Sequence, residues 1–325
     1  MDLRDLRVFV TIAETGSLAA AGKVLHISSP SLSARLRDLE DELATVLFER
    51  WARGLMLTEQ GREFQTHAYA ILKQAEDAKA SMLSRDKPPI GTVRFGVPGS
   101  LVGLLTVRLI ESCLDRLPQV RLRVVESMSG YIANWLREGT LDAAIIFGGG
   151  AANDRSASLQ AIAEEDLYVG TYDLPSIAPY LTDKGEIRMR DVRHLRLVMP
   201  GPEHGLRLLV EATARRHSVP LNVVMEVDAS PQIFALIRRG HGATICSLAA
   251  RHPGSMVSSA DNGQLHTFRV VEPGFRRTVY LATPLNRPSS RATLAVAQLA
   301  VETLLASAAS DEWKARRIPN GASGF

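Results

Sequence analysis

Only two cysteines, Cys113 and Cys246, occur among the 325 residues. That is too few for a disulfide framework and favours a reducing compartment. Long hydrophobic runs are also missing: Ala143–Phe147 is short, and the stretch 294–305 is broken by Gln298 and Glu302, so neither spans a bilayer. The start, Met1-Asp2-Leu3-Arg4-Asp5, lacks the apolar run of a secretory signal. Charge of one sign is lacking as well, since 38 Lys and Arg against 35 Asp and Glu leave a net charge of +3, too mild to imply nucleic acid or an acidic membrane by itself. What is present is a globular composition, with 46% hydrophobic and 22% charged residues. At about 150 residues per domain, the length predicts two domains in a cytoplasmic protein.

Enzyme constellations are absent. Gly96-Val97-Pro98-Gly99 and Gly148-Gly149-Gly150 follow strand-like runs, yet neither completes a nucleotide-binding glycine pattern. There is no G-x-S-x-G elbow. His194, His204, His217, His241 and His252 show no metal spacing. No cofactor or metal is implied.

The chain changes character near residue 88, where Lys87-Pro88-Pro89 breaks a wholly helical pattern. Beyond it, β-rich runs at 92–97, 120–126, Ala143–Phe147, 167–171, 195–199, 223–227, Thr244–Cys246 and 279–283 alternate with helical runs. This alternation predicts βαβ units with mainly parallel sheets, an α/β fold. Residues 306–325 lose periodicity and read as a loose tail.

Three apolar helices fit the first 45 residues. Leu3, Leu6, Val10 and Ala13 mark the first, which Gly16 ends; Ser17 caps the second, Leu18–Leu25. After a turn at His26-Ile27-Ser28, Ser29 as cap and Pro30 as first helical residue start the third. Leu32, Leu36, Leu39 and Leu43 form its apolar stripe, so Pro30, Ser33, Ala34 and Arg37 point outward, with Ser31 and Arg35 on the flank. Two short helices joined by a tight turn, the second with a small polar outer face, make a helix-turn-helix for the major groove. Residues 46–57 read as two short strands around a turn, a wing that would carry Arg50 and Arg53 to phosphates or a minor groove. A plain three-helix bundle is the competing reading, because residues 1–60 hold seven Lys and Arg against nine Asp and Glu.

A helix over 58–84 carries Gly61, Phe64, Ala68, Ile71, Ala75, Ala78 and Met82 in alternating steps of three and four, a heptad seam. Either the seam packs on the chain's own core or it meets a second subunit, which would suit two recognition helices on paired half-sites.

Taken together, Leu25-His26-Ile27-Ser28-Ser29-Pro30-Ser31-Leu32-Ser33, Leu39-Glu40, Leu47-Phe48-Glu49-Arg50 and Leu57-Thr58-Glu59-Gln60-Gly61 resemble the signature of LysR-type transcriptional regulators. Ser129-Gly130-Tyr131, Leu141 to Ile146 and Glu165 to Thr171 are similar to the nitrogen assimilation control branch. The resemblance implies a winged helix-turn-helix at 1–58, a dimerising linker helix at 59–88 and a two-lobed effector domain of periplasmic-binding-protein type at 91–305. Lobe I is expected at 91–164 and 268–305 and lobe II at 165–267, with crossings near 163–166 and 265–270. It further implies double-stranded DNA with paired half-sites and a small-molecule effector as partners, self-association to dimers and tetramers, and no membrane. Pro30, Ser33, Arg35, Arg50 and Arg53 match positions the family uses on DNA, and Ser29 and Ser31 complete the expected contact set. Ser29 and Ala34 stand where the family commonly has Gln and Arg, which removes two bidentate base contacts.

Ligands in open α/β sheets bind beyond the carboxyl ends of strands. Those ends nominate Ser100, Leu101, Met128, Ser129, Phe147, Pro202, His204, Ser230 and Cys246 as effector-binding residues. Ser100 opens a helix and, with Ser129 across the cleft, would suit an anion; ordinary N-capping is the competing role. Cys113 reads as a buried small hydrophobe, whereas Cys246, near the cleft, leaves a thiol switch open. The functional reading is an effector-modulated DNA-binding regulator. The alternatives are a ligand-independent regulator of the same family and an α/β enzyme with a helical dimerisation domain.

Overall fold

The computed structural model describes residues 1–51, 54–81, 88–148, 157–251, 264–271, 275–310 and 313–319. Helix α1 (Leu3–Thr15) starts in a capping box: the Asp2 carboxylate accepts from the Arg4 and Asp5 amides while Asp5 accepts from the Asp2 amide. Gly16, at φ 65°, ends it in the left-handed conformation that glycine adopts without a Cβ penalty. Helix α2 (Leu18–Leu25) is capped by Ser17, and α3 (Ser29–Glu42) follows the turn. The cap of α3 is Ser28 rather than Ser29: Ser28 is extended, and its Oγ accepts from the Ser31 amide at 3.4 Å. Pro30 then falls at the second helical position, where an amide would have no intrahelical partner anyway.

Strands β1 (Phe48–Trp51) and β2 (Gly54–Leu57) pair antiparallel as the expected hairpin. Glu40 on α3 accepts from the Leu47 and Phe48 amides at 2.7 and 3.2 Å, tying the hairpin to the third helix. Helix α4 (Glu59–Ser81) begins against this unit: Phe64 meets Phe9 edge-on at 4.9 Å, and Ala68 is fully buried in the same core. A Cβ on Gly61 would lie 2.1 Å from the Leu47 carbonyl oxygen, so α4 approaches the hairpin as only glycine allows. The seam is thus divided. Its first half, Gly61 to Ala68, packs on the chain's own core, while Ile71 is 41% exposed and Ala78 is exposed; Met82 lies outside the described residues. Midway along α4, Tyr69 donates to Glu14 of α1 at 2.7 Å, and Arg94 stacks on its ring. Burial, with Glu14 adding to it, pushes the Tyr69 phenol up to about 12.

The α/β portion runs β3 (Gly91–Pro98), α5 (Val102–Arg116), β4 (Val120–Ser127), α6 (Ser129–Glu138), β5 (Ala143–Phe147) and β6 (Ala157–Asp166). It continues through β7 (Tyr168–Thr171), α7 (Leu174–Ile177), β8 (Ile187–Arg188), β9 (Leu197–Met199), α8 (Gly205–Arg216), β10 (Val223–Glu226), α9 (Ser230–Arg238) and β11 (Thr244–Cys246). The last elements are β12 (His266–Val271), β13 (Arg276–Pro284), α10 (Arg291–Ser307) and β14 (Arg316–Arg317). One lobe is a six-stranded sheet ordered β14-β6-β13-β5-β3-β4; the other holds β11-β7-β12-β8 beside the β10-β9 pair. Their cores are separate apolar clusters, one around Phe95, Leu104, Leu109 and Val296, the other around Leu167, Val210 and Phe275.

The sheets are mixed rather than mainly parallel. β3 runs parallel to β4 and β5, but β13 is antiparallel to both β5 and β6. The reason is the two interlobe crossings, which send β6 out of the first lobe and bring β13 back in the opposite sense. Glu165 and Asp166 still pair with β13, so the outward crossing falls at Leu167. The stretch 265–270 is not the return crossing: β12 pairs with β7 and β8 in the second lobe, so the chain returns after Val271. The stretch after 305 is no loose tail as far as it is described. Helix α10 continues to Ser307, Trp313 is 1% exposed, and β14 pairs with Glu164 and Ala163 on the edge of the first sheet.

Candidate functional site

The apolar stripe of α3 decides what it presents outward. Leu32, Leu36 and Leu39 are buried, which leaves Pro30, Ser31, Ala34 and Arg37 exposed and Ser29 and Ser33 half-buried. Ser31 Oγ lies 2.8 Å from Ser28 Oγ. Arg35 does not join this face. Its Nη1 donates to Asp5 Oδ1 at 2.8 Å, the carboxylate that also closes the capping box of α1, so Arg35 sets the angle between α1 and α3. Arg50 is exposed on β1, and Arg53 lies outside the described residues. Arg37, absent from the expected contact set, is exposed on the outer face, and its Nε donates to the Ser33 carbonyl at 3.4 Å.

The second site is the interlobe cleft. The carboxyl ends of β3, β4 and β5 from one lobe and of β9, β10 and β11 from the other converge on a cavity of about 700 Å³. Ser100, Met128, Ser129, Phe147, His204, Ser230 and Cys246 line it. Leu101 and Pro202 do not. Leu101 turns inward from a short 3-10 turn and is fully buried in the lobe core, and Pro202 is exposed while Pro200 and Glu203 face the cavity. Ser100 caps no helix. Ser129 is not across the cleft from it, because β3 and β4 are neighbours in one sheet; the serines opposite are Ser230 and Ser247. Ser129 Oγ instead accepts from the Phe147 amide at 3.2 Å.

Sequence reasoning missed Arg277, on β13. It is 6% exposed and lies on the cavity wall. Its Nε donates to Glu165, itself 1% exposed, and its Nη2 donates to Ser100 Oγ at 3.0 Å and Ser247 Oγ at 3.3 Å. Its guanidinium carbon lies 3.4 Å from the centre of the Phe147 ring. One side chain therefore bridges both lobes at the cavity floor. Three acids, Glu126, Glu203 and Asp228, line the cavity from exposed positions. The sequence carried no local signal for Arg277, since its carboxylate partner lies 112 residues away.

Burial sets the titrations here. It pushes the His204 pKa down, with Arg277 adding to the effect, so the ring is neutral near pH 7. His204 Nδ1 accepts from the Leu206 amide at 3.1 Å, which leaves the proton on Nε2. Burial pushes the Cys246 thiol up to about 12, the reverse of what a reactive thiolate needs. Cys113 is buried on α5 and shifted in the same direction. Among the described residues no three His, Cys, Asp or Glu side chains group to hold a metal, and no helix is long and apolar enough to cross a membrane.

Comparison with known proteins divides the chain in the same way. The profile for bacterial regulatory helix-turn-helix proteins of the lysR family matches residues 3–62, and that for the LysR substrate binding domain matches residues 86–305. The nitrogen assimilation regulatory protein nac of Klebsiella aerogenes is 30% identical over 316 residues, 95% of this chain and 96% of its own. Its Escherichia coli K12 counterpart is 29% identical over 312 residues, 95% and 96% of the two chains. Among solved structures, a full-length OxyR variant from Pseudomonas aeruginosa superposes with a TM-score of 0.71 at 22% identity, covering 98% of each chain. Full-length CbnR complexed with its target DNA gives 0.65 at 20% identity, covering 93% of this chain and 99% of its own. With those two profiles spanning most of its length, the chain belongs to the LysR family of bacterial helix-turn-helix transcriptional regulators.

Proposed function

We propose that the protein binds paired operator half-sites with α3 in successive major grooves, and that a small anionic metabolite in the interlobe cleft shifts its conformational equilibrium. The observation that carries the effector reading is Arg277: a guanidinium on the floor of a cavity sized for a small molecule, with serine hydroxyls from both lobes around it. Only Nε and Nη2 of Arg277 donate to described residues, which leaves Nη1 for a carboxylate or phosphate. A ligand that engages Arg277, Ser100 and Ser247 together favours the closed lobes by its differential affinity for that state.

Pro30, Ser31, Ser33 and Arg37 support the DNA reading, with Arg50 for the backbone. Because Ser29 and Ala34 are short, base contacts supply modest discrimination, and half-site spacing and duplex deformability supply the remainder. Self-association is supported by Ile71 on α4 and by Val107, Ile110 and Leu114 along one side of α5, exposed at 62, 39 and 72%. An apolar stripe of that kind gains by burial against a second subunit, first in a dimer and then in a tetramer.

Nuclease footprinting on the DNA upstream of the protein's own gene, with and without succinate, glutamate or phosphate, tests the reading. Two protected patches whose extent changes with one of these anions support it. Protection unchanged by any cellular metabolite extract favours a ligand-independent regulator, and no protection at all overturns the DNA reading.

A further inference from the structure

The substrate-binding profile ends at residue 305, yet the described residues beyond it, 306–310 and 313–319, are built into the first lobe. The Ala315 amide donates to the Ala308 carbonyl at 2.7 Å, and the Ile318 amide donates to the Ile162 carbonyl at 2.9 Å. Arg316 and Arg317 pair with Glu164 and Ala163 as a sixth, edge strand. Arg316 also bonds Asp166 at 3.1 Å. These anchors seat Trp313 in the main apolar cluster of the lobe.

An indole needs its N–H satisfied when buried, and Trp313 Nε1 donates to Glu165 Oε2. The other carboxylate oxygen of Glu165 accepts from Arg277 Nε. Arg277 in turn reaches Ser100 and Ser247 and lies over Phe147, all on the cavity wall. The chain of contacts therefore runs from the C-terminal strand to the cleft through two buried charges. A carboxylate so far from water holds its position only if both oxygens are bonded. Without the indole N–H, Oε2 loses its one bond to a described side chain, and Glu165 is free to turn away from Arg277.

We propose that Trp313 is a positioning residue for the effector site: its N–H fixes the Glu165 carboxylate, which fixes the guanidinium that meets the ligand. The proposal rests on the reading of the cleft as the effector site. The C-terminal segment is then part of that site's machinery although it touches no ligand itself.

The test uses the full-length protein with arginine labelled by ¹⁵N, and the Arg277 Nε–H resonance assigned by its loss in Arg277→Lys. Hydrogen exchange at this N–H is compared in the wild type, Trp313→Phe and Trp313→His. Phenylalanine keeps a ring and loses the donor, whereas histidine is smaller but retains a ring N–H. A hydrogen bond to a charged group is worth enough that Trp313→Phe should speed exchange by about tenfold or more, with Trp313→His much closer to the wild type. Unchanged exchange in Trp313→Phe overturns the proposal. So does equal acceleration in both variants with equal falls in urea midpoint, which would mean that Trp313 only fills space. No ligand is needed for this readout. A separate calorimetric titration of the wild type with succinate and with phosphate judges the cleft reading, so the two can fail independently.

Discussion

Arg277 and Glu165 form an ion pair with side chains 5% and 1% exposed, on two strands that link the lobes. Such a pair is worth little against an apolar substitute but a great deal against the loss of one partner. Arg277→Ala should therefore cost about 3–5 kcal/mol of stability by leaving a buried carboxylate unpaired. Arg277→Met with Glu165→Gln should recover most of that loss while abolishing stabilisation by anions. Urea unfolding of the three proteins checks both halves; a single variant as stable as the wild type would mean the pair is not buried in solution.

The Cys246 thiol, pushed up to about 12 by burial, stays protonated throughout the physiological range. Its folded pKa is above its unfolded one, so its contribution to stability is intact below about 8.5 and declines only as pH climbs toward 12. Native protein at pH 8 should resist iodoacetamide at both Cys113 and Cys246, and unfolding in urea should expose the two together. Rapid native labelling at Cys246 would reopen a thiol switch.

Arg35 and Asp5 make a partly exposed pair, 39% and 21% by side chain, with an expected coupling of about 0.2–1 kcal/mol in a double-mutant cycle. Because Arg35 is spent on α1, Arg35→Ala should weaken operator and random duplex by similar factors. Arg37→Ala should instead reduce the preference between them. Competition titrations separate the two effects, and a selective loss of operator binding in Arg35→Ala would put its guanidinium back on the bases.

Ile71→Asp places a charge at an exposed position of the α4 seam. The dimer should weaken by about tenfold or more, read by sedimentation, with binding to paired half-sites falling in step. A fully dimeric variant would put the dimer contact elsewhere, with the stripe on α5 as the next candidate.

The six strand ends at the cleft were legible because each strand is a short run followed within four residues by Gly, Pro or Ser. Ser100, Ser129 and His204 followed from those ends directly. Strands β6 and β12 were not legible. β6 reads Ala-Ser-Leu-Gln-Ala-Ile-Ala-Glu-Glu-Asp, low in β-branched residues, and forms because β13 supplies a long antiparallel partner. Trp313 could not be placed from its neighbours either. It is buried in the apolar cluster of the first lobe, and its N–H is satisfied by an acid 148 residues earlier, a contact that only the closed sheet creates. The shift from Ser29 to Ser28 as the cap of α3 is a smaller case: both are serines before a proline, and backbone geometry chooses between them.

The most direct measurement is fluorescence anisotropy of a labelled duplex from upstream of the gene, titrated at fixed salt with and without each metabolite that raises the melting temperature. At least one such metabolite should change the apparent affinity by about fivefold or more, and Ser100→Trp, which fills the cleft, should abolish both the stabilisation and the change. Stabilisation with no change in DNA affinity, or a full response in Ser100→Trp, would contradict control of DNA binding from the cleft.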